Sequence, residues 1–147
     1  MAIIDTLKQD MKSAMREKQK ERLATIRLIL AAFKQVEIDE SISVDDERGI
    51  SILDKMVKQR RDSIKQYEDA QRPELAAKEQ EEILVIQDYL PKPLTDEEID
   101  DLIDAAIKAV GASSAQDMGK VMGHLKPLMQ GRADMGSVSG KVKQLLS

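Results

Sequence analysis

The stretch PKPLTDEEIDDLIDAAIKAVG, residues 91–111, contains a chain break, a helix start and a helix end. Its two prolines cannot continue a helix, because proline has no backbone N–H and a fixed φ angle. Thr95 and Glu98 have the spacing of a capping box, in which side chains bind free backbone N–H groups at a helix start. Gly111 suits the left-handed conformation that often ends a helix. The stretch therefore predicts a proline hinge at 91–95, followed by an α-helix that ends before Gly111.

Apolar periodicity predicts four helices upstream of this hinge. The first has apolar residues at every fourth position, namely Ile3, Leu7, Met11 and Met15. The second runs from Leu23 to about Ile38. The third is long, about 25 residues, and its expected N-cap is Ser43. The fourth begins at Pro73, because proline suits the first helical turn, and it stops before Pro91.

Two more short helices are expected after Gly111. The first of them begins near Ser113 or Ser114 and is kinked or ended by Pro127. The last has apolar residues at helical spacing, namely Val138, Val142, Leu145 and Leu146. Each of these helices needs partners to bury its apolar stripe.

No segment has the alternating pattern of a β-strand, so the predicted fold class is all-α. We expect an N-terminal bundle of about four helices at residues 1–90. The proline hinge at 91–95 then joins it to a three-helix tail domain at residues 96–147.

Composition excludes several classes of function. The chain has no cysteine, so a disulfide, a thiolate nucleophile and a cysteine metal site are impossible. His124 has no second histidine to complete a typical zinc or iron site, and it is more typical of a surface or capping residue than of a catalyst. The acidic runs at 45–49 and 96–101 do not have the spacing of a calcium-binding EF-hand loop. We therefore expect no metal, no cofactor and no catalytic residue.

Two further features concern binding and location. Aromatic residues make up 2% of the chain, which is too few for a module that stacks on bases. No apolar run reaches the roughly 18 residues needed to span a bilayer, and the N-terminus lacks the layout of a secretory signal. The expectation from these features is a cytoplasmic protein that does not bind membranes.

Charge is distributed unevenly along a chain with a net charge of −4. Residues 91–111 have two Lys and six Asp or Glu, whereas residues 112–147 have five Lys or Arg and two Asp. The five cations of the second segment are Lys120, Lys126, Arg132, Lys141 and Lys143. Such a set is typical either of a solvated surface or of a surface that contacts phosphates.

The motif DMGxVxG occurs twice in this basic segment, at 117–123 and at 134–140. Each copy places two glycines four residues apart on one helix face, and the four are Gly119, Gly123, Gly136 and Gly140. One explanation is close packing between helices, with the aspartates near free N–H groups at the helix starts. The other is that the bare backbone at a helix N-terminus admits a phosphate. Local sequence leaves both explanations open.

These motifs together resemble a known family. The runs ILVIQDYLPKPLTDEEI and GASSAQDMGKVMGHLKPLMQGRADMG are similar to the YqeY family of small bacterial proteins, and the resemblance covers essentially the whole chain. The family shares its domain with the C-terminal region of the B subunit (GatB) of the glutamine-dependent aspartyl/glutamyl-tRNA amidotransferase. That likeness is clearest from about residue 91 onward. It implies a helical domain joined to a smaller tail that helps to hold tRNA by shape.

The resemblance implies no catalytic residue, because amide transfer and ATP use belong to a separate domain of the amidotransferase. It carries over RNA-facing positions in the tail, namely Gly119, Lys120, Gly123, Lys126, Gly131, Arg132 and Gly136. The two remaining cations of this segment, Lys141 and Lys143, are also candidate contacts, as is His124. Ser137 departs from the family, whose members often have a basic residue directly after the second DMG or ADG.

Three functions follow from these observations. The preferred one is a non-catalytic module that binds tRNA or a tRNA–protein complex. Its tail would contact the phosphate backbone through helix N-termini and Lys or Arg side chains. The second is an accessory role in glutamine-dependent carbon–nitrogen ligation, without autonomous enzyme activity. The third is a protein-interaction scaffold that uses the N-terminal helices.

Overall fold

A computed structural model describes residues 2–147, which form seven α-helices, one 3₁₀ turn and no β-strand. The helices are α1 (Ile3–Arg16), α2 (Lys20–Glu40), α3 (Asp46–Asp69), α4 (Pro73–Gln87), α5 (Asp96–Val110), α6 (Met118–Met129) and α7 (Met135–Leu146), and the 3₁₀ turn is Ala115–Asp117. The predicted all-α class is confirmed. The chain divides into two compact units, unit 1 (Met1–Leu90) and unit 2 (Pro91–Ser147), and each has its own core.

Unit 1 is a four-helix arrangement in which α3 packs along α4, α1 along α2, and α2 against α4. Its core consists mainly of large apolar side chains that are almost fully buried: Leu7, Ile26, Ile29, Phe33, Leu53, Val57, Ile83 and Ile86. Full burial of one such side chain contributes about 1.5–3 kcal/mol. These contacts hold four amphipathic helices that could not be stable alone.

The buried stripe of α1 differs from the expected one. Ala14 is buried, whereas Met15 is 52% exposed. A spacing of four residues rotates each successive side chain by about 40° around the helix axis, so the fourth member of the series leaves the core face. Ala14 lies seven residues after buried Leu7, almost two full turns, and therefore faces the core instead.

The N-cap of α3 was predicted wrongly at Ser43. Asp45 is the N-cap, and its carboxylate accepts a hydrogen bond from the backbone N–H of Arg48 at 2.8 Å. The next residue, Asp46, accepts a hydrogen bond from the backbone N–H of Ile3 at 2.8 Å and thereby binds the first turn of α1. The two adjacent carboxylates thus stabilise the starts of two different helices.

A glycine in α3 permits close contact with α2. A Cβ atom added at Gly49 would lie 3.2 Å from Cζ of Phe33 and 3.6 Å from Cδ1 of Ile3. Because Gly49 has no side chain, the Phe33 ring can pack directly against the α3 backbone. This is the one helical glycine whose position is explained by packing against an apolar side chain.

Polar contacts fix the end of α4 within unit 1. The Tyr89 hydroxyl donates a hydrogen bond to Oδ2 of Asp10 at 2.6 Å, and Arg22 forms an ion pair with Asp88 at 2.9 Å. Burial, reinforced by the Asp10 carboxylate, raises the pKa of Tyr89 above its ordinary value. The residues before the proline segment are therefore tied to α1 and α2.

Unit 2 begins with the proline segment and the helix that the capping box predicts. Thr95 Oγ1 accepts a hydrogen bond from the N–H of Glu98, and the Glu98 carboxylate accepts one from the N–H of Thr95, both at 3.1 Å. Gly111 ends α5 with φ of 65° and ψ of 35°. The predicted start and end of this helix are confirmed.

The helix after Gly111 is preceded by a 3₁₀ turn whose N-cap is Ser114, and Pro127 does not end it. Residues 115–117 form a 3₁₀ turn, α6 begins at Met118, and the helix passes through Pro127 to Met129. Pro127 lies in the last turn, so its missing N–H affects only the carbonyl of Gly123. Since Gly123 is exposed, water can satisfy that carbonyl, and the helix is not broken.

Candidate functional site

Helices α6 and α7 are two copies of one sequence pattern. Each has twelve residues and begins directly after an aspartate, and the two sequences are MGKVMGHLKPLM and MGSVSGKVKQLL. At an offset of 17 residues the identical pairs are Met118/Met135, Gly119/Gly136, Val121/Val138, Gly123/Gly140, Lys126/Lys143 and Leu128/Leu145. The repeat is therefore present in the structure as well as in the sequence.

One face of each helix supplies the core of unit 2. The buried residues occupy matching positions, namely Val121, Leu125 and Met129 in α6, and Val138, Val142 and Leu146 in α7. At 100° per residue, the glycines of each helix lie on the side away from these core residues. The repeat thus presents the same outer face twice.

All four motif glycines are exposed. A Cβ atom added at Gly119, Gly123 or Gly140 would have no neighbour within 4 Å, and at Gly136 it would meet only Oδ1 of Asp134 at 3.5 Å. Close helix packing therefore does not explain these glycines. An exposed glycine inside a helix costs about 1 kcal/mol relative to alanine without any compensating internal contact.

Three lysines accompany the glycines on exposed positions. The ammonium groups of Lys120, Lys126 and Lys143 make no ion pair or hydrogen bond with any of residues 2–147. Lys126 and Lys143 lie within about 60° of both glycines of their helix, viewed down the axis. Each outer face therefore combines bare backbone with a free ammonium group.

Two of the other candidate cations have structural contacts instead. Lys141 Nζ lies 3.2 Å from Oδ1 of Asp100, which links α7 to α5. Arg132 Nε donates to the carbonyl of Lys92 at 3.1 Å, and the Arg132 carbonyl accepts from the N–H of Leu94 at 2.8 Å. Arg132 thus holds the proline segment against the rest of unit 2. That residues 91–95 act as a hinge about which the chain moves stays a prediction.

An aspartate directly precedes each helix, and only the Asp134 carboxylate bonds to an N–H group of the helix that follows it. Asp134 Oδ1 accepts from the N–H of Gly136 at 3.2 Å, and its Oδ2 accepts from the hydroxyl of Ser137 at 3.0 Å. Asp117 Oδ2 accepts from the N–H groups of Ser113 at 2.9 Å and Ser114 at 3.4 Å. The bond from Ser113 is the main reason that the pKa of Asp117 is lowered. An anion approaching either start would meet a carboxylate, whereas the glycine faces remain open.

The remaining candidates lie as follows. His124 is exposed and occupies the α6 position that Lys141 occupies in α7, while Gly131 is buried with φ of 77° in the turn between these helices. Gly140 is equivalent to Gly123 and belongs with the candidate positions. Gly140 was part of the repeated motif but was not among the predicted contacts. Comparing all twelve residues of the two helices would have identified it as the equivalent of Gly123.

Within residues 2–147, no three His, Cys, Asp or Glu side chains are grouped so that they could hold a metal ion. None of the helices in that range combines the length and the apolar character needed to cross a membrane.

Sequence comparison identifies the family. A family model for Yqey-like proteins matches residues 4–146. The chain belongs to the YqeY-like family.

Named relatives of this YqeY-like chain are fungal. "Altered inheritance of mitochondria protein 41, mitochondrial" from Pyrenophora tritici-repentis is 31% identical over 147 aligned residues, covering 98% of this chain and 81% of that protein. The protein of the same name from Candida glabrata is 41% identical, covering 90% and 65%. The one from Clavispora lusitaniae is 35% identical, covering 78% and 68%. The chain thus spans about two thirds to four fifths of these relatives.

These relatives contradict the expected cytoplasmic location, because their names assign them to mitochondria. The expectation rested on the missing membrane span and secretory signal, and neither feature distinguishes the cytoplasm from the interior of an organelle. The relatives are fungal and give no support to the bacterial origin that the resemblance implied.

Proposed function

We propose that this YqeY-like protein is a non-catalytic module in which unit 2 binds the phosphate backbone of tRNA or of a tRNA–protein complex. The observation that carries the proposal is the twice-repeated outer face of α6 and α7. Each copy has two exposed glycines, and no neighbouring side chain fills the space beside them that a side chain of their own would take. Each also has a lysine that is unpaired among the described residues.

Glycine and lysine have complementary roles on such a face. Without Cβ atoms, a sugar–phosphate chain can approach the helix backbone more closely than any other residue would allow. The ammonium groups of Lys126 and Lys143 supply attraction to phosphates, and Lys120 adds a third charge on α6. Each phosphate that a lysine neutralises releases counterions from the nucleic acid, so the affinity falls as salt rises.

The contact differs from the one expected at the helix N-termini. Asp117 directly precedes α6 and Asp134 caps α7, and their carboxylates would repel a phosphate that approached either helix start. We therefore place the RNA along the exposed glycine faces. Because unit 2 has no aromatic residue to stack on bases, the recognition is of backbone shape and not of base sequence.

The proposal is tested by titrating labelled deacylated tRNA and measuring fluorescence anisotropy at about 50 mM and about 200 mM salt. The test variant is Lys120→Glu with Lys126→Glu. The control is Lys34→Glu with Lys78→Glu, which changes the net charge equally at exposed sites in unit 1. We expect binding at low salt that the test variant weakens much more than the control does.

Two results would contradict the proposal. One is an absence of binding at about 50 mM salt, where phosphate contacts are strong. The other is equal affinity of the test and control variants, since attraction would then depend on overall charge and not on the glycine faces.

A further inference from the structure

A second basic surface lies on the long helix of unit 1. Residues 55–66, KMVKQRRDSIKQ, contain five Lys or Arg and one Asp, although the whole chain has a net charge of −4. This local excess of four positive charges is larger than the excess of three over the 36 residues 112–147. It lies in α3 and has no part in the tail surface described above.

One of the five cations points inward and is accounted for by the fold. Arg60 Nε lies 2.8 Å from a carboxylate oxygen of Glu82 and 3.9 Å from one of Glu79, and its side chain is only 14% exposed. This cluster links α3 to α4. Arg60 is therefore a packing residue and is not available to a partner.

The other four cations form what we call the α3 basic face, which comprises Lys55, Lys58, Arg61 and Lys65. All four are exposed, and none of their charged side-chain groups makes an ion pair or hydrogen bond with another of the described residues. At 100° and 1.5 Å per residue, they lie within an arc of about 120° and along roughly 15 Å of the helix. Asp62 is the one carboxylate of residues 55–65 within that arc, and Asp54 and Asp69 lie within the same arc just beyond its two ends.

The chemistry of this face selects a class of partner. The large apolar side chains that are exposed in the described chain all lie outside α3. The centre of a protein interface is normally apolar or aromatic and poor in lysine. A helix that lies on a lipid surface likewise needs apolar side chains beside its cations. Isolated surface ion pairs with an acidic protein contribute little.

A nucleic acid differs from these partners because its condensed counterions are released at each neutralised phosphate, so unpaired cations suffice for binding. We infer that the α3 basic face is a second contact for the phosphate backbone of the RNA that unit 2 binds. This inference rests on the proposed function and extends it, because it assigns part of the binding to unit 1. Four cations along roughly 15 Å of a 24-residue helix form a row that can follow a sugar–phosphate strand.

The experiment compares salt dependence among four forms of the full chain with labelled deacylated tRNA. They are the unaltered chain, the α3 variant Lys58→Gln with Lys65→Gln, the tail variant Lys120→Gln with Lys126→Gln, and the control Lys34→Gln with Lys78→Gln. Glutamine removes the charge and keeps a good helix propensity, so α-helical circular dichroism should be unchanged. A second titration uses polyglutamate as an acidic polypeptide.

We expect the α3 variant to lose about two phosphate contacts. The ratio of affinities at about 50 mM and about 200 mM salt should then fall roughly tenfold relative to the unaltered chain. The control should change that ratio little, because its lysines lie on other helices of unit 1.

Other outcomes separate this inference from the proposed function. If the tail variant lowers the salt dependence and the α3 variant does not, the inference is overturned and the proposed function stands. If the α3 variant alone lowers it, the α3 basic face contacts RNA, but the proposed function of unit 2 fails and the face is not a second contact. If no tRNA binds at low salt, both fail. Loss of polyglutamate binding in the α3 variant, with tRNA binding unchanged, would overturn the inference and assign the face to an acidic protein.

Discussion

The substitutions Gly123→Ala and Gly140→Ala test both the structure and the proposed function. Both glycines occupy the sixth position of a twelve-residue helix, and a Cβ atom at either has no neighbour within 4 Å. Alanine is favoured over glycine in a helix interior by about 1 kcal/mol. Because no steric cost opposes that gain, each substitution should raise the free energy of unfolding of unit 2 by about that amount.

The two substitutions lie on different helices, so their effects should add to about 2 kcal/mol in the double variant. Amide hydrogen exchange of α6 and α7 under native conditions reports the opening of unit 2 separately from unit 1. An increase of about 2 kcal/mol slows that exchange roughly 30-fold where it requires opening of the whole unit. The same double variant should bind tRNA more weakly, because two methyl groups would then project into the RNA-facing surface.

Gly49→Ala is the control for this reasoning. Its Cβ atom would lie 3.2 Å from the Phe33 ring, which is tighter than normal contact. Overpacking of this kind costs about 1–3 kcal/mol, so the helix-propensity gain should be cancelled or reversed. If Gly123→Ala destabilised unit 2, the exposure argument would be refuted. Tighter tRNA binding by the stabilised double variant would refute the role of the bare backbone.

The remaining predictions concern stability. Thr95→Ala should destabilise unit 2 by about 1 kcal/mol through loss of the cap on α5, and faster exchange of the α5 amides would measure this effect. Glu98→Gln should cost less, because the amide oxygen of glutamine can still accept a hydrogen bond from the N–H of Thr95. Tyr89→Phe should destabilise unit 1 by about 1.5 kcal/mol, since Asp10 loses a hydrogen bond, and urea unfolding would show no change if that bond were unimportant. Hydrogen bonds from backbone N–H groups, chiefly that of Ser113, lower the pKa of Asp117 below its value in the unfolded chain. The contribution of Asp117 to stability is therefore present above the unfolded pKa and is lost as the pH falls through the folded pKa. Exchange of the α6 amides should therefore depend more steeply on acid than in Asp117→Asn, and identical pH profiles would contradict this assignment.

Helix positions could be predicted from the sequence where a local signal was unambiguous. The capping box at Thr95 and Glu98 and the terminating Gly111 were of this kind, because both depend on hydrogen bonds within one turn. The N-cap of α3 was not, since Ser43 and Asp45 are both good caps. The chain uses Asp45, and Asp46 is then placed to bind the start of α1.

The candidate site could be predicted only in part. The repeat and its lysines could be read from the sequence. The spacing of the glycines, however, is the same whether they are exposed or packed between helices. Only the packing of Val121, Leu125 and their counterparts in α7 decides that the glycines face outward. The sequence also contained no sign that Lys141 would pair with Asp100, 41 residues away, because that contact depends on how α7 lies against α5.

The amino-acid sequence by itself therefore determined the helical class, the break at the prolines and the family. Apolar periodicity, proline and capping residues act within a few residues of one another and need no tertiary context. The tertiary structure alone decided which cations are free, which are engaged in holding helices together, and which glycines are exposed. These properties depend on neighbours that are distant in the chain and that meet only when the apolar faces of several helices are buried together.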